Sequence, residues 1–340
     1  MKRHFEFFMQ REIKMQRQTF VKFAITSLLA TLAFSAHCQD AASYPNKSIR
    51  IIVNFPPGGT VDVMTRSVAQ KLTEKWSQPV VIDNRPGAGG NIGAQAVSTA
   101  EPDGYTLLAT PPGPMTINQY LYKDMRFEPA KLSSVIMMAS VPNAIAARID
   151  FPANNVKELI AYTKANPGKV SFGSQGNGST SHLTGQMFAS MTGSDLMHIP
   201  FKGEGLALTE ILGGRVDLFL GNISAVLKLH QNKQVKILGV AGPKRSQMAS
   251  EVPSSPEFGM PDFVSSAWFA IAAPPGTPAP IVSKLNTAIS DILKMPDIQQ
   301  KIAAVGGEVV GGSPSDMTSF VIAESARWKK VIETANVKLD

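Results

Sequence analysis

The stretch NFPPGGTVDVMTR, Asn54 to Arg66, carries the chain from an apolar run through two prolines and two glycines straight into a helical pattern. Upstream, SIRIIVNF (48–55) reads as a buried strand. Downstream, Val61, Met64, Val68, Leu72 and Trp76 fall on one helical face. A strand, a tight loop and a helix in that order form the unit from which parallel sheets with helical faces are built. A loop so rigid and so bare of side chains suits a place where backbone must come close to something else.

The same rhythm continues. PVVIDN (79–84), YTLLAT (105–110), VSFGS (170–174), DLMHIPF (195–201), VDLFLGN (216–222) and VKILGVA (235–241) read as strands. Helical patterns occupy 90–100, 155–165, 180–191, 204–213 and 223–230, and after WFAIAAPPGTP (268–278) they occupy 279–295, 296–304 and 314–335. The class is therefore α/β. No tandem repeat or low-complexity tract interrupts it.

Open α/β sheets bind ligands beyond the carboxyl ends of their strands. Four such ends are rich in Gly, Ser, Thr and Pro: 55–62, 110–118, 173–182 and 198–205. In the first, Gly58 and Gly59 can take backbone angles closed to other residues, and a helix starting near Thr60 offers unpaired N–H groups and the positive end of its dipole. That combination suits an anion, above all a carboxylate. Ser179 or Thr180 would cap the helix of the third loop and give a second such terminus. Plain alternatives stand beside these readings: a tight strand-to-helix turn at Gly58–Gly59, a simple cap at Ser179–Thr180, a dipole-matching acid at Asp62, packed structural histidines at His182 and His198, and a solvated cation at Lys202. Asp217 enters an apolar strand, so it is either a hydrogen-bond hub or a reader of a ligand amine or hydroxyl.

Catalytic patterns fail on spacing. GSQGNGST (173–180) has Ser179 where a phosphate loop has lysine, and GAGGNIG (87–93) has Ile92 where a dinucleotide fingerprint has its third glycine. A nucleophile elbow at Ser174 would want glycine at Phe172. Five histidines and one cysteine give no metal-ligand spacing.

The first residues stand apart. Lys14, Arg17 and Lys22 precede the apolar run FAITSLLATLAFSA (23–36), too short for a membrane span and suited to a signal peptide covering 1–38, with Met15 a candidate true start. Small residues place the cut after Ala33 and Ser35 or after Ala36 and Cys38, the second pair being preferred. Cys38, the single cysteine, would leave with the signal, and lipidation there is disfavoured by His37. Removing 1–38 takes six basic and two acidic residues from a chain of net charge +7, leaving 27 against 24, or +3. The basic balance of the whole chain is therefore no argument for nucleic-acid binding, and none is expected.

Five ordered blocks resemble the Bug-type (TctC-like) extracytoplasmic solute-binding proteins of tripartite tricarboxylate transporters. Beyond YPNKSIRIIVNFPPGGTVDVMTR (44–66), they are NRPGAGGNIGAQAVSTAEPDGYTLL (84–108), GSQGNGSTSHLTGQMF (173–188), HIPFKGEGLALTEILGGRVDLFLGN (198–222), KRSQMASEVPSSPEFGMPDF (244–263) and SAWFAIAAPPGTPAPIVSKLN (266–286). The resemblance implies a two-lobed periplasmic-binding-protein-like fold, each lobe a mainly parallel sheet flanked by helices, with two chain crossovers at a hinge. On that pattern lobe one is 44–143 plus 265–340 and lobe two is 144–264. It further implies a small organic acid or amino acid held by Phe55, Gly58, Gly59, Thr60 and Asp62 from the first lobe and by Ser174, Ser179, Thr180 and Asp217 from the second. Closure over the ligand would be read by integral membrane transporter subunits, with the protein working as a monomer, without cofactor, metal or catalysis. Departures fall at Asn118-Gln119, where family members often have Asn-Pro, and at Pro57, often alanine. A sensor presenting ligand to a receptor, or a hydrolase using Ser174 or Ser179 with His182 or His198, are the alternatives.

Overall fold

Residues 43–339 are described by the structure, a computed structural model. The expected signal segment 1–38, with its cleavage pairs and Met15, lies outside the described residues. β1 (Ile49–Val53), α1 (Thr60–Trp76), β2 (Val80–Asn84), α2 (Asn91–Ser98) and β3 (Thr106–Thr110) form the first alternating run. β4 (Ser133–Arg148) leads to α3 (Val156–Ala165), β5 (Val170–Ser174), α4 (Thr180–Thr192), β6 (Leu196–Pro200), α5 (Glu204–Leu212), β7 (Leu218–Asn222), α6 (Ile223–Gln231) and β8 (Val235–Ala241). The return comprises β9 (Ser266–Ala273), α7 (Ala279–Leu293), α8 (Pro296–Ala304), β10 (Glu308–Gly311) and α9 (Pro314–Thr334).

These elements form where local chemistry favours them. α1 buries Val61, Met64, Val68 and Leu72 along one stripe and stops at Ser77, which takes the left-handed conformation. The N-cap side chains of α3 (Asn155), α4 (Ser179) and α9 (Ser313) each accept the N–H three residues on. α4 lies so close to β5 that a Cβ at Gly185 would fall 2.2 Å from the Phe172 ring.

The strand order is β2-β1-β3-β9-β4-β7-β5-β6, with β8 and β10 also pairing to β4. Each lobe has a three-stranded parallel core, β2-β1-β3 in one and β6-β5-β7 in the other. Every pairing to β4 or β9 is antiparallel, so the mainly parallel expectation holds for these cores and gives way to mixed sheets near the crossovers. The cause is β4 itself. Its first part, to Pro142, pairs with β9, and from Asn143 the same strand pairs with β7 and β8. A proline, which offers no N–H to a ladder, stands at the change of partners.

At that change a buried polar cluster joins both chain crossings. Asn143 Nδ2 donates to Thr184 Oγ1 at 2.7 Å and Ser265 Oγ at 3.0 Å, and its backbone N–H donates to the Ser265 carbonyl at 2.9 Å. Apolar packing is divided accordingly. Ile52, Leu108 and Trp268 centre one core and Phe172, Phe188, Leu218 and Phe263 another. A third cluster unites Ile117 and Leu121 with Leu183 of α4 and with Trp328 and Ile332 of α9.

Candidate functional site

The loop after β1 is shaped from below. Asn54, fully buried, donates through Nδ2 to the Gly90 carbonyl at 3.1 Å and to Thr110 Oγ1 at 2.9 Å, tying together the ends of β1 and β3 and the loop before α2. Gly90, at φ +92°, is obligatory, because a Cβ there would meet Asn54, Phe55 and Pro114 at 2.9 Å. Asp62 clamps the turn. Its carboxylate accepts the Gly58 N–H, Arg66 Nε and Asn84 Nδ2, each at 2.9 Å. Burial pushes the Asp62 pKa up, but those donors outweigh burial and hold it below the usual carboxylate value.

The clamped loop carries Phe55, Gly58, Gly59 and Thr60 along the wall of a cavity of about 620 Å³, closed from the other lobe by Gln175, Lys202, Glu204, Asn222 and Ser224. α1 has no side-chain cap of its own, its N-cap being Gly59. Instead the Thr60 N–H and hydroxyl donate to Glu204 Oε1 at 3.0 and 3.1 Å. Gln175 Nε2 and Asn222 Nδ2 donate to Glu204 Oε2 at 2.8 and 3.3 Å. Thr60 Oγ1 also meets Ser224 Oγ at 3.1 Å. Burial raises the Glu204 pKa against the pull of these four bonds. The helix terminus therefore holds a carboxylate, one supplied by the chain.

The other expected residues lie elsewhere. Asp62 supports the loop from behind and does not line the cavity. Asp217 precedes β7, at the end opposite the loops, where it pairs with Arg148 Nε at 3.0 Å and accepts the N–H and hydroxyl of Ser171 at 2.9 and 3.0 Å. Of its two readings the hub is the one realised. Ser179 caps α4 and donates to the Gly176 carbonyl at 2.6 Å, so the second helix terminus is closed by its own side chain. Thr180 is buried with its carbonyl bonded to Thr184 Oγ1 at 2.6 Å. Ser174 is fully buried, with Oγ 2.7 Å from His198 Nε2 and accepting the Gly176 N–H. Sequence reasoning missed Glu204, Gln175, Asn222 and Ser224. The one available signal was an acid between two glycines, Gly203-Glu204-Gly205, at a helix start.

His198 stacks between His182, ring centroids 4.0 Å apart, and Phe172 at 4.8 Å. Among the described residues no carboxylate hydrogen-bonds either imidazole, so the Ser174–His198 pair lacks an orienting acid. Nor do three His, Cys, Asp or Glu residues cluster to hold a metal ion there. Burial lowers the pKa of His182 to about 3, helped by His198, and that of His198 to about 4. Both fold neutral, whereas the unfolded chain takes up protons near pH 6.5. Stability is therefore unpenalised above pH 6.5 and falls as pH drops from there towards 4, by up to about 1.4 kcal/mol per pH unit for each histidine. Urea titrations at pH 7, 6 and 5 check this; a His182→Phe variant, which keeps the stack, is expected to halve the slope, and an unchanged slope would refute the assignment.

The model of the tripartite tricarboxylate transporter family receptor matches residues 64–337. The chain belongs to that receptor family. The receptor is 35% identical over 318 residues to Protein BugT of Bordetella pertussis, covering 93% of this chain and 98% of that one. Its fold matches the R. palustris Rpa4515 structure with adipate at TM-score 0.84 and 36% identity, covering 87% and 99% of the two chains. It also matches the periplasmic binding protein BugD at TM-score 0.81 and 33% identity, over 87% and 99%.

Proposed function

We propose that this receptor captures a small carboxylate-bearing solute between its lobes in the periplasm and delivers it to integral membrane subunits of a tripartite tricarboxylate-type transporter. One observation carries the reading: the α1 terminus faces the interlobe cavity with backbone and hydroxyl donors that already hold a carboxylate, that of Glu204. A ligand carboxylate there is bonded by Thr60 and packed by Phe55, Gly58 and Gly59. Adipate in the Rpa4515 structure supports a dicarboxylate as the class to try first. The lobes are 44–143 plus 265–340 and 144–264, a division supported by the change of β4 partners after Pro142 and by the Asn143–Ser265 bonds. The receptor binds without converting its ligand and works as a monomer.

Thermal unfolding of residues 39–340 against mono-, di- and tricarboxylates and amino acids tests this. A ligand at about 100 times its Kd adds about 2.7 kcal/mol to the folded state, so a true ligand class raises the midpoint by degrees. If no carboxylate shifts the midpoint while esters or amides are turned over, the hydrolase reading built on Ser174 and His198 replaces it. A sensory role would show as a receptor protein, not a permease, retained in a pull-down with ligand present.

A further inference from the structure

We propose that Glu204 is a tethered occupant of the ligand site: in the free receptor its carboxylate fills the acceptor position at the start of α1, and an incoming carboxylate binds by expelling it. The inference rests on the carboxylate reading above.

The Glu204 carboxylate is held by four donors and, among the described residues, by no cation, and the donors come from both lobes: the Thr60 N–H and hydroxyl from one, Gln175 and Asn222 from the other. This is the set that a free carboxylate in the cleft would use. Two ionised carboxylates sharing it would repel one another in a desolvated place, which favours departure of Glu204 when an ionised ligand carboxylate arrives. Helix α1 has Gly59 where a capping side chain would stand, so the place is vacant of any local acceptor.

Two further features mark Glu204 as a stand-in and not as permanent structure. Asn222, 2% exposed and part of the cavity wall, gives its amide to Glu204 while its Oδ1, also buried, has no hydrogen-bond partner among the described residues. A buried acceptor left unmatched is costly, and a ligand bringing a hydroxyl or amine beside its carboxylate would satisfy it. Secondly, Glu204 is half-buried and is the first residue of α5, between Gly203 at φ +105° and Gly205, whose added Cβ would meet nothing within 4 Å. Glu204 belongs to neither apolar core cluster, so its departure removes no core contact.

A site occupied by its own tether binds ligand more weakly by the fraction of time it is free. Removing the tether removes that penalty. Titration calorimetry of the wild type, Glu204→Ala and Glu204→Gln with adipate and a panel of C4 to C6 dicarboxylates is the test, with unfolding midpoints confirming that each variant is folded. The expected result is that Glu204→Ala binds about tenfold or more tightly, with Glu204→Gln in between, since the amide keeps one acceptor but not the charge. Weaker binding by both variants means that Glu204 contacts the ligand directly, and unchanged binding means that it stays in place; either overturns the proposal while leaving the carboxylate reading intact. Binding by the variants alone supports both ideas. Failure of all three folded proteins to bind any dicarboxylate overturns both.

Discussion

Gly59→Val is expected to weaken carboxylate binding by at least about a hundredfold, about 2.7 kcal/mol, while leaving the receptor folded. Gly59 has φ −74° and ψ 167°, an extended conformation open to valine. Space near the backbone is also adequate, since a Cβ would stand 3.6 Å from the Pro56 carbonyl and 3.7 Å from Glu204 Oε1. Both are ordinary contacts, so alanine should bind nearly as well as glycine. The γ-methyls of valine, however, project beside the Thr60 N–H, where an acceptor must sit. They obstruct the carboxylate and leave a donor facing hydrocarbon. Calorimetry with the best ligand of the panel measures the loss. Binding within threefold of wild type by a folded Gly59→Val protein would show that the ligand carboxylate sits somewhere other than the α1 terminus.

A second large effect is expected in stability. Trp328→Ala should cost about 3–5 kcal/mol, the usual range for deleting a fully buried large aromatic. Trp328 is 0% exposed, donates Nε1–H to Glu324 Oε2 at 3.1 Å, and lies under the Arg327 guanidinium, 4.1 Å from the ring centroid. It shares one buried cluster with Ile117, Leu121, Leu183 and Ile332, so the void would open where α4 and α9 meet. Urea unfolding followed by circular dichroism gives the difference, and Trp328→Phe should recover most of it. A cost below about 1 kcal/mol for the alanine variant would mean that this seam contributes little to the fold.

Many of the shorter strands were legible in the sequence as compact apolar runs bounded by turn residues: VSFGS marks β5 of a parallel core to the residue. Outside those cores VKILGVA marks β8, and the helix expected at 296–304 is α8. β4 was not legible. Its sixteen residues, SSVIMMASVPNAIAAR, are almost continuously apolar and contain Pro142, which argues against a central strand. The proline is tolerated because the ladder changes partners there, a tertiary fact that no local pattern encodes. β9 was hidden similarly, its apolar run SAWFAIAA showing no alternation because both faces are covered. In the candidate site, Gly58, Gly59 and Thr60 follow from the physics of a helix terminus, and Asp217 reads as a carboxylate requiring a partner, with nothing in the sequence to say which. Glu204 escaped because an acid in the first turn of a helix is already explained by that helix's own dipole. Only the approach of α1 and α5 from separate lobes reveals its second task.

The strand that passes from one sheet into the other also governs how the cleft can move. A loop hinge rotates freely about a few backbone torsions, but β4 is hydrogen-bonded on both sides of Asn143, to β9 and then to β7 and β8. A strand bonded on both sides resists twisting more than a free loop does, so the amides flanking Asn143 are expected to rank among the slowest to exchange, which hydrogen exchange would check.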